Sequence, residues 1–523
     1  MRTAVGRGCF VSPERLPPPT NSPGLKFVMT HPGALARRLP AITAIAAGIS
    51  YPLGFAPLAL IPLSPLALGV LFFLWRDAGP RRAAWLGGLF GCGAFGVGIS
   101  WVYVSLHQYG NMPAPLALAV VGVFVLLMAL YPALAGGLQA LFTRASGNIR
   151  LVAVMPALWV LLEWLRGQLF SGFPWLYLGY TQVDTPLAAL LPLGGVLTVS
   201  LLMAVATACL VGVVAGERRQ RLQGLGVLMA LSVVVFVTTT LRFVQPVGDA
   251  IRVAIVQENI SLAHKWEGSR ASAIAQRYLE ASQAERDADL VVWPEVALPV
   301  YLDQVDPNYL QALAQHPADF LLGVMERQRE GDGWHLYNSA LGIGDTMALY
   351  RKRQLVPFGE YLPLQPLLGW LLVYLQIPMS DFIPWAGGPQ PMQLAGQPLG
   401  VTICYEDAFQ EEVTEPLPTA TVLVNLSEDA WFGDSLAPHQ RLQMARSRAL
   451  ETGRPLVRAS NNGLSALIAA DGRILALAPQ FQAAAVRGMV QPMQGTTPFV
   501  RYGNLLVVGL CLLLLLAGTS RRL

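Results

Sequence analysis

One cysteine is the first candidate for chemistry in this sequence. The apolar run Val401–Ile403 is typical of the end of a buried β-strand, and Cys404, Tyr405, Glu406 and Asp407 follow it directly. The chain has five cysteines, and the other four lie in the N-terminal extension or in long apolar segments: Cys9, Cys92, Cys209 and Cys511. A free cysteine is more often a small buried hydrophobe than a nucleophile, so a catalytic role for Cys404 requires suitable partners elsewhere in the chain.

Two other polar residues have side chains that could act with Cys404 in catalysis. Glu295 follows the apolar run Val291–Trp293 and a proline that ends it, and Lys352 lies in the basic run Tyr350–Arg353. Each alone is typical of a solvated strand end, but a carboxylate, an ammonium and a thiol are the groups that covalent acyl transfer needs. Glu295 would accept the thiol proton, and Lys352 would lower the thiol pKa and stabilise the oxyanion of a tetrahedral intermediate.

Other chemistries have weaker signals. His335 or His439 would give a Cys–His hydrolase, but neither lies in a recognisable nucleophile context. No CxxC pair or Cys/His cluster is present, so neither a metal site nor a disulfide framework is indicated. The stretch Gly91–Gly96 matches a dinucleotide-binding fingerprint, yet it lies inside an apolar segment with no strand before it. Gly87 and Gly91 instead have the spacing that lets two membrane helices approach closely.

The composition indicates a membrane protein. Of 523 residues, 54% are apolar and 13% are charged, against about 25% charged in soluble domains. The net charge of +4 comes from arginines in short clusters rather than from one basic face, which argues against nucleic acid as a partner. Eight apolar segments approach the length of about 20 residues that a membrane span needs: 39–56, 58–75, 83–104, 115–142, 151–165, 187–215, 223–243 and 502–518.

The arginines between these segments predict their orientation. They cluster in alternate loops, and the opposite loops carry almost none apart from Arg166. By the positive-inside rule both termini are predicted to be cytoplasmic, and the long segment 244–501 lies outside the cytoplasm, in the periplasm of a double-membraned bacterium. Glu163 and Arg166, three residues apart at the end of the fifth segment, have the spacing of a pair across one helical turn.

Four regions follow from these patterns. Residues 1–36 are predicted to be a flexible extension, 37–243 a bundle of seven spans, 244–501 a single α/β domain, and 502–523 a last span with a short cytoplasmic tail.

The α/β domain is predicted from apolar runs that alternate with helical patterns. The runs are Ile251–Val256, Leu290–Trp293, Phe320–Val324, Leu399–Ile403 and Thr421–Leu426, and the helical patterns are Ala271–Arg286 and Gln440–Glu451. Within this domain the segment 362–385, with Trp370 and Trp385, is apolar, aromatic and interrupted by proline. It is predicted either to belong to the core or to contact lipid.

Three motifs of the α/β domain resemble the Glu-Lys-Cys triad of the nitrilase, or carbon-nitrogen hydrolase, superfamily. They are Trp293-Pro-Glu295, Lys352 ahead of Leu355-Val-Pro-Phe-Gly-Glu-Tyr-Leu-Pro363, and Ile403-Cys-Tyr-Glu-Asp407. Further stretches are similar to the apolipoprotein N-acyltransferases of bacterial inner membranes: Phe173-Pro-Trp-Leu176, Asp429-Ala-Trp-Phe-Gly433, Ala459-Ser-Asn-Asn-Gly463 and Gly495-Thr-Thr-Pro-Phe499. The resemblance covers nearly the whole chain after residue 39. It implies a nitrilase-like αββα sandwich outside the cytoplasm, about eight transmembrane helices and no cofactor.

The same resemblance implies a reaction. In this family an acyl chain passes from the sn-1 position of a phospholipid, typically phosphatidylethanolamine, onto the cysteine, and then onto the α-amino group of the diacylglyceryl-cysteine that begins an apolipoprotein. The resemblance implies that Cys404 is the nucleophile, Glu295 the base and Lys352 the oxyanion stabiliser. It implies supporting roles for Glu360, Tyr405 and Glu406. It also implies that the aromatic side chains of Trp266 and Trp431 contact the substrate. The apolar segment adds Trp370 and Trp385 to the expected substrate contacts.

One departure from the family is expected to change the local charge. The chain has Ser427-Glu428-Asp429 where many members have Ser-Asn-Asp, so Glu428 adds a carboxylate near the expected site.

Two other functions remain open from the sequence. A membrane-anchored amidase would use the same triad with water as the acceptor, although a soluble amide substrate would need neither the spans nor the apolar segment. A transporter would explain the spans, but transporters usually place ionisable residues near mid-membrane, and Glu163 is the exception in these spans.

Overall fold

The computed structural model describes residues 34–143, 145–331, 333–361 and 382–519. From Pro40 onward the chain forms one compact unit, with apolar helices in its first part and an α/β domain in its second. Trp370 and most of the segment 362–385 lie outside the described residues, as does the extension up to residue 33.

Helices occupy each of the segments predicted to cross the membrane. Their bounds are Ala34–Ser50, Leu63–Trp75, Pro80–Gly98, Trp101–Val104, Ala114–Gln139, Gly147–Ile149, Met155–Gln168, Leu191–Ala215, Arg218–Thr238 and Leu505–Thr519. Short 3-10 or π-helical turns continue some of them, so that Gly147–Ser171 and Pro186–Ala215 are each one longer helical segment.

Length and apolar character qualify four of the described helices as candidate spans: Ala114–Gln139, Gly147–Ser171, Pro186–Ala215 and Arg218–Thr238. A fifth results if Pro80–Gly98 and Trp101–Tyr109, which meet at a bend of 51°, are one broken span. The helices Leu63–Trp75 and Leu505–Thr519 are apolar but shorter. The structure thus supports a multi-span protein, and the predicted number of eight spans is not confirmed.

The glycines of the third apolar segment lie where two helices touch. A Cβ atom on Gly87 would lie 2.2 Å from the carbonyl oxygen of Pro132, and one on Gly91 would lie 2.7 Å from the Cα atom of Ala129. Only glycine permits so close an approach of the two backbones. The prediction of helix packing at these glycines is confirmed.

The two buried charged residues near the end of helix Met155–Gln168 have different partners, and no ion pair joins them among the described contacts. Glu163 accepts hydrogen bonds from Trp159 Nε1 at 3.1 Å and from the backbone of Leu178 at 2.9 Å. The Arg166 guanidinium lies over the rings of Phe95 and Tyr177, 4.8 and 5.3 Å from their centroids. Both side chains therefore hold the helix against neighbouring segments of the bundle.

The α/β domain contains two large β-sheets and a small one. Its strands are β1 Val244–Pro246, β2 Ile251–Gln257, β3 Leu290–Val292, β4 Leu298–Tyr301, β5 Asp319–Glu330, β6 Gly333–Ile343, β7 Met347–Arg351, β8 Met392–Leu394, β9 Gln397–Ile403, β10 Val422–Ser427, β11 Leu456–Ser460, β12 Ala466–Ile468, β13 Ile474–Leu477, β14 Ala484–Val490 and β15 Met493–Gly495. The first large sheet has the order β14-β2-β3-β5-β6-β7, with β4 paired to β5, and the second has the order β13-β12-β11-β10-β9-β8. Parallel pairing joins β2, β3 and β5 in one sheet and β9, β10 and β11 in the other.

The two large sheets pack face to face and are covered by helices. Their shared core contains apolar side chains of both sheets, among them Val253, Val292, Val401 and Val424. The described α-helices of the domain are Leu262–Lys265, Ala271–Gln283, Pro307–Ala314, Gln410–Thr414, Leu436–Thr452 and Pro498–Tyr502, and Leu436–Thr452 is the longest of these. Helices Ala271–Gln283 and Pro307–Ala314 pack on the first sheet, and helix Leu436–Thr452 packs on the second. This is the predicted αββα sandwich.

Helix Leu436–Thr452 begins four residues before its predicted start, because Ser435 caps it and Pro438 lies in the first turn, where proline is tolerated. It also joins the α/β domain to the apolar helices. Gln440 accepts a hydrogen bond from Trp175 Nε1 at 2.9 Å and donates one to the Gly98 carbonyl oxygen at 3.0 Å. Further along, its contacts with the bundle are Gln443 to Ala56, Arg446 to Asp184, Arg448 to Tyr180 and Glu451 to Val196.

Candidate active site

The ends of strands from both sheets meet at one edge of the sandwich. Cys404 directly follows β9, Glu295 follows β3 after two residues, and Lys352 directly follows β7. The backbone of Cys404 has a φ of 51°, in the left-handed region that non-glycine residues rarely adopt. Gly323 of β5 permits the approach of Glu295, because a Cβ atom there would lie 2.6 Å from the Glu295 Cα atom.

Lys352 is the centre of a buried polar cluster. Its Nζ atom lies 2.8 Å from Glu360 Oε1 and 3.3 Å from Glu295 Oε1. Asn338, on β6, donates to the same two oxygen atoms at 2.9 and 2.7 Å. The structure therefore brings three predicted site residues together, and Asn338 is a fourth member that the sequence analysis did not identify. An amide in the buried second half of β6 was the available signal.

Burial and neighbouring charges have opposite effects on the pKa values of Glu295 and Lys352 in this cluster. Burial alone would raise the pKa of Glu295, but Lys352, Asn338 and the Cys404 thiol hold it below its usual value. Burial alone would lower the pKa of Lys352, but the carboxylates of Glu295 and Glu360 raise it. Both partners are therefore ionised at neutral pH.

The Cys404 thiol is protonated in the resting site. Burial, and then the Glu295 carboxylate, raise its pKa to about 12. Arg441 and Lys352 act in the opposite direction and are outweighed. Lys352 lowers the thiol pKa, as predicted, but burial and the Glu295 carboxylate raise it by more, and Lys352 is itself paired with two carboxylates. A reaction at this thiol would need a base, and the ionised Glu295 carboxylate that acts on Cys404 is the candidate.

Arg441 is a further residue beside Cys404 that the sequence analysis missed. Its Nη1 atom lies 3.4 Å from Cys404 Sγ, and its Nη2 atom donates to the Cys404 carbonyl oxygen at 2.6 Å. Asp407 and Asp429 hold the guanidinium at 3.1 and 3.0 Å, and Arg458 bonds to the same two carboxylates. The cation at Cys404 is thus fixed by a fully buried ion cluster.

The predicted supporting residues act at different places. Glu360 contacts Lys352 directly. Glu406 instead accepts hydrogen bonds from the backbone N–H groups of Ile403 and Arg353, both at 2.6 Å, and from the Tyr350 hydroxyl at 2.9 Å. Glu406 therefore joins the turn that contains Cys404 to the segment that contains Lys352 by hydrogen bonds.

Tyr405 connects the site to the membrane-spanning part of the chain. Its hydroxyl donates to the Gly172 carbonyl oxygen at 2.9 Å, and its ring stacks on Trp175 with a centroid distance of 6.0 Å. Both partners lie in the loop after helix Met155–Gln168. The residue next to Cys404 is thus positioned by the bundle.

The predicted substrate-contacting tryptophans fall in two places. Trp266 and Trp431 pack against one apolar cluster, formed by Val296, Met325, Leu355 and Phe382 beside Glu295. Trp385 lies apart from them, with the Arg351 guanidinium 4.4 Å from its ring centroid and 37% of its own surface exposed. Trp370 lies outside the described residues.

A sandwich of two sheets with Glu295, Lys352 and Cys404 at the ends of its strands is the arrangement expected of a carbon-nitrogen hydrolase domain. Residues 252–492 match the family described as Carbon-nitrogen hydrolase, and residues 47–209 match the family described as Apolipoprotein N-acyltransferase N-terminal domain. Three relatives that carry the name apolipoprotein N-acyltransferase are similar over most of the chain. The one from Methylococcus capsulatus is 43% identical over 90% of this chain and 94% of its own length. Those from Nitrosomonas europaea and Coxiella burnetii are 41% and 36% identical, over 91% of this chain in each case and 96% and 99% of their own lengths. The chain belongs to the apolipoprotein N-acyltransferase family.

Proposed function

We propose that this protein transfers an acyl chain from the sn-1 position of a phospholipid, through a thioester on Cys404, to the α-amino group of the diacylglyceryl-cysteine that begins an apolipoprotein. Phosphatidylethanolamine is the proposed donor. The observation that carries the proposal is the Cys404 thiol between an ionised carboxylate, Glu295, and a fixed cation, Arg441. The relatives named above support the choice of acceptor.

The first half-reaction uses three groups of the site. Glu295 takes the thiol proton as the sulfur attacks the carbonyl carbon of the donor ester, and Lys352 stabilises the oxyanion that forms. The carbon–oxygen bond to the glycerol then breaks, and Glu295 returns the proton to the departing oxygen of the lysophospholipid. The acyl chain is left on Cys404 as a thioester.

The second half-reaction reverses these roles. The lipoprotein amine attacks the thioester carbon, Lys352 again stabilises the oxyanion, and Glu295 removes a proton from the amine nitrogen. The carbon–sulfur bond breaks, and the thiolate recovers the proton from Glu295. Because the donor product leaves before the acceptor reacts, ping-pong kinetics are expected.

A location at the membrane follows from both substrates. The donor and the lipid anchor of the acceptor are held in the bilayer, so a tethered enzyme meets them already concentrated and oriented. The proposed arrangement is a multi-pass protein of the inner membrane with both termini in the cytoplasm and residues 244–501 in the periplasm. The arginine distribution supports this orientation.

Phe170 supports an approach of lipid beside the site. Its side chain is 93% exposed and lies one residue before the end of the apolar segment Gly147–Ser171. The loop is held by hydrogen bonds from Ser171 to Tyr361 at 2.6 Å and from Gln354 to Ser171 at 2.9 Å. A fixed loop that exposes an aromatic ring at the end of a span is typical of contact with the membrane interface.

An apolar enclosure would protect the thioester from water. Trp266 and Trp431 line one side of the proposed enclosure, and we assign Trp370 and Trp385 of the apolar segment to its cover.

A transfer assay tests the function and separates it from amide hydrolysis. Purified protein is incubated with phospholipid labelled in its sn-1 chain and a peptide that begins with diacylglyceryl-cysteine, and labelled products are identified by mass spectrometry. The label is expected on the peptide amine, and a peptide with an acetylated amine and the Cys404→Ala variant are expected to give none. Release of the label only as free fatty acid, with a free amine present, would contradict the proposal and favour water as the acceptor.

A further inference from the structure

A buried ion pair lies directly behind Glu295. The Lys265 ammonium bonds to the Glu428 carboxylate, and both side chains are only 3% exposed. Lys265 also donates to the backbone carbonyl oxygen of Glu295 at 3.0 Å. The pair is therefore in direct contact with the peptide that presents the proposed base. The acyl-transfer steps derived above use neither side chain.

Glu428 joins two further segments of the site. It accepts hydrogen bonds from Asn461 Nδ2 at 3.1 and 3.2 Å and from the backbone of Ala430 at 3.3 Å. Asn461 in turn exchanges hydrogen bonds with the backbone of Ile260, at 2.7 and 2.9 Å. One carboxylate thus fixes the start of the segment that leads to Trp266 and the turn that carries Trp431.

The two ends of the pair are therefore tied to the two aromatic side chains beside Glu295. Lys265 immediately precedes Trp266 in the chain, and Glu428 begins the turn that ends at Phe432. Trp266 and Trp431 pack against the same apolar cluster, which includes Val296. Separation of the pair would leave a buried charge without a partner, so the contact resists displacement of either segment.

We propose that Lys265 and Glu428 form a positioning pair, which holds the peptide of Glu295 and fixes the distance between Trp266 and Trp431 on one side of the bound acyl chain. The identity of the bound acyl chain rests on the function proposed above, whereas the position and charge of the pair do not.

The pair also sets the charge around Glu295. The groups that face Glu295 are Lys352 with its partner Glu360, the Cys404 thiol with Arg441 behind it, Asn338, and the Lys265–Glu428 pair. Lys265 favours ionised Glu295 and lowers its pKa, and Glu428, a carboxylate, acts in the opposite direction. Removal of one member of the pair leaves the charge of the other uncompensated. Single substitutions of Lys265 and of Glu428 must therefore shift the charge around Glu295, and with it the thiolate fraction of Cys404, in opposite directions.

Alkylation of Cys404 by iodoacetamide provides a test that needs no lipid substrate. At pH 9, below the raised pKa of the thiol, the alkylation rate is proportional to the thiolate fraction. Glu428→Gln leaves the positive charge of Lys265 and is expected to raise the rate about threefold or more, whereas Lys265→Met leaves the negative charge of Glu428 and is expected to lower it by a similar factor. The double variant, which removes both charges, is expected to return to the wild-type rate.

Two further measurements separate position from charge. Lys265→Arg and Glu428→Asp keep both charges but change the length of the contact, so they are expected to keep the alkylation rate and to raise the KM for the phospholipid donor. Glu267→Gln removes an exposed charge next to Trp266 and is the matched control, with no change expected in either quantity. Alkylation changes of the same sign in both single variants, or none in either, would overturn the proposal. Failure of acyl transfer in the wild-type protein would contradict the proposed function and leave the alkylation result to decide the role of the pair.

Discussion

The Nη1 atom of Arg441 lies 3.4 Å from the sulfur of Cys404, while Nη2 of the same guanidinium donates to the Cys404 carbonyl oxygen. One side chain therefore contacts both the nucleophilic atom and the backbone that holds it at a φ of 51°. The helix that carries Arg441 also contacts the membrane-spanning part of the chain through Gln440. Cys404 is thus linked to the bundle through this helix as well as through the neighbouring Tyr405.

Substitution of Arg441 is expected to slow the acylation of Cys404. Arg441→Met removes the cation that favours the thiolate and a donor to the Cys404 carbonyl oxygen, and we expect a loss on the order of 100-fold in the rate of adduct formation. Arg441→Lys keeps the charge but not the two-point contact, so an intermediate rate is expected. Arg446→Met is the control on the same helix, because Arg446 pairs with Asp184 instead of the site. Equal rates in all three variants would rule out a role of Arg441 at the sulfur.

Glu295→Gln is expected to have opposite effects on two properties of Cys404. The Glu295 carboxylate raises the thiol pKa, so its removal lowers that pKa and increases the rate of iodoacetamide alkylation at pH 9. The same change removes the proposed base, so acyl transfer is expected to fall by about 100-fold or more. Alkylation and transfer are measured on the same preparation. A parallel fall of both rates would indicate damage to the fold and not the loss of a base.

The tryptophans are expected to separate into two groups. Trp266 and Trp431 pack beside Glu295, so replacement of either by alanine is expected to raise the KM for the donor on the order of tenfold through lost apolar contact. Trp370→Ser and Trp385→Ser are expected to slow transfer and to increase release of free fatty acid, since water would reach the thioester. Steady-state kinetics with analysis of both products distinguish these effects. Full transfer without extra hydrolysis in the second pair would contradict a covering role for the apolar segment.

Phe170 is expected to matter only when the donor is held in a membrane. Phe170→Ser should raise the apparent KM for phospholipid in vesicles several-fold and leave the alkylation rate of Cys404 unchanged, because the loop lies outside the charged cluster. Phe481→Ser is a matched control, since Phe481 is also exposed and also has a left-handed backbone, with a φ of 58°. An equal effect of the two substitutions would argue against a specific contact of Phe170 with lipid.

The sequence allowed several residues of the candidate site to be predicted, but few of the contacts among them. Glu295, Lys352, Glu360 and Cys404 each follow a strand or lie in a motif, so their positions were visible. Glu295 and Cys404 each follow a strand with a parallel partner, but these strands belong to different sheets, and only the folded chain shows that the strand ends meet at one edge. Four of the five predicted apolar runs agree with a strand within two residues at each end, whereas the run Phe320–Val324 is the first part of the longer strand Asp319–Glu330.

The buried charges of the site were not predictable in this way. Arg441 lies on the same face of its helix as Ala437, Ala445 and Ala449, which are fully buried. A charged residue on such a face is a signal, but only the folded chain shows which carboxylates accept it. The net pKa of Cys404 was also missed, because it depends on the balance between burial and four neighbouring charges.

The number of membrane spans likewise could not be predicted from the hydropathy pattern of the sequence. The apolar segments near the N-terminus and the C-terminus form helices, but Leu63–Trp75 and Leu505–Thr519 are shorter than a full crossing requires. Hydropathy reports the composition of a segment and not the length over which it stays helical.

The central claim is that Cys404 carries the acyl chain between the two substrates. The direct measurement is intact-protein and peptide mass spectrometry of the enzyme after incubation with phospholipid labelled in its sn-1 chain, without an acceptor. We expect one labelled acyl group on the peptide that contains Cys404, its loss on treatment with neutral hydroxylamine, and its disappearance together with acylation of the amine when a diacylated lipopeptide is added. An unmodified Cys404 during active transfer, or an equal adduct in the Cys404→Ala variant, would rule out Cys404 as the acyl carrier.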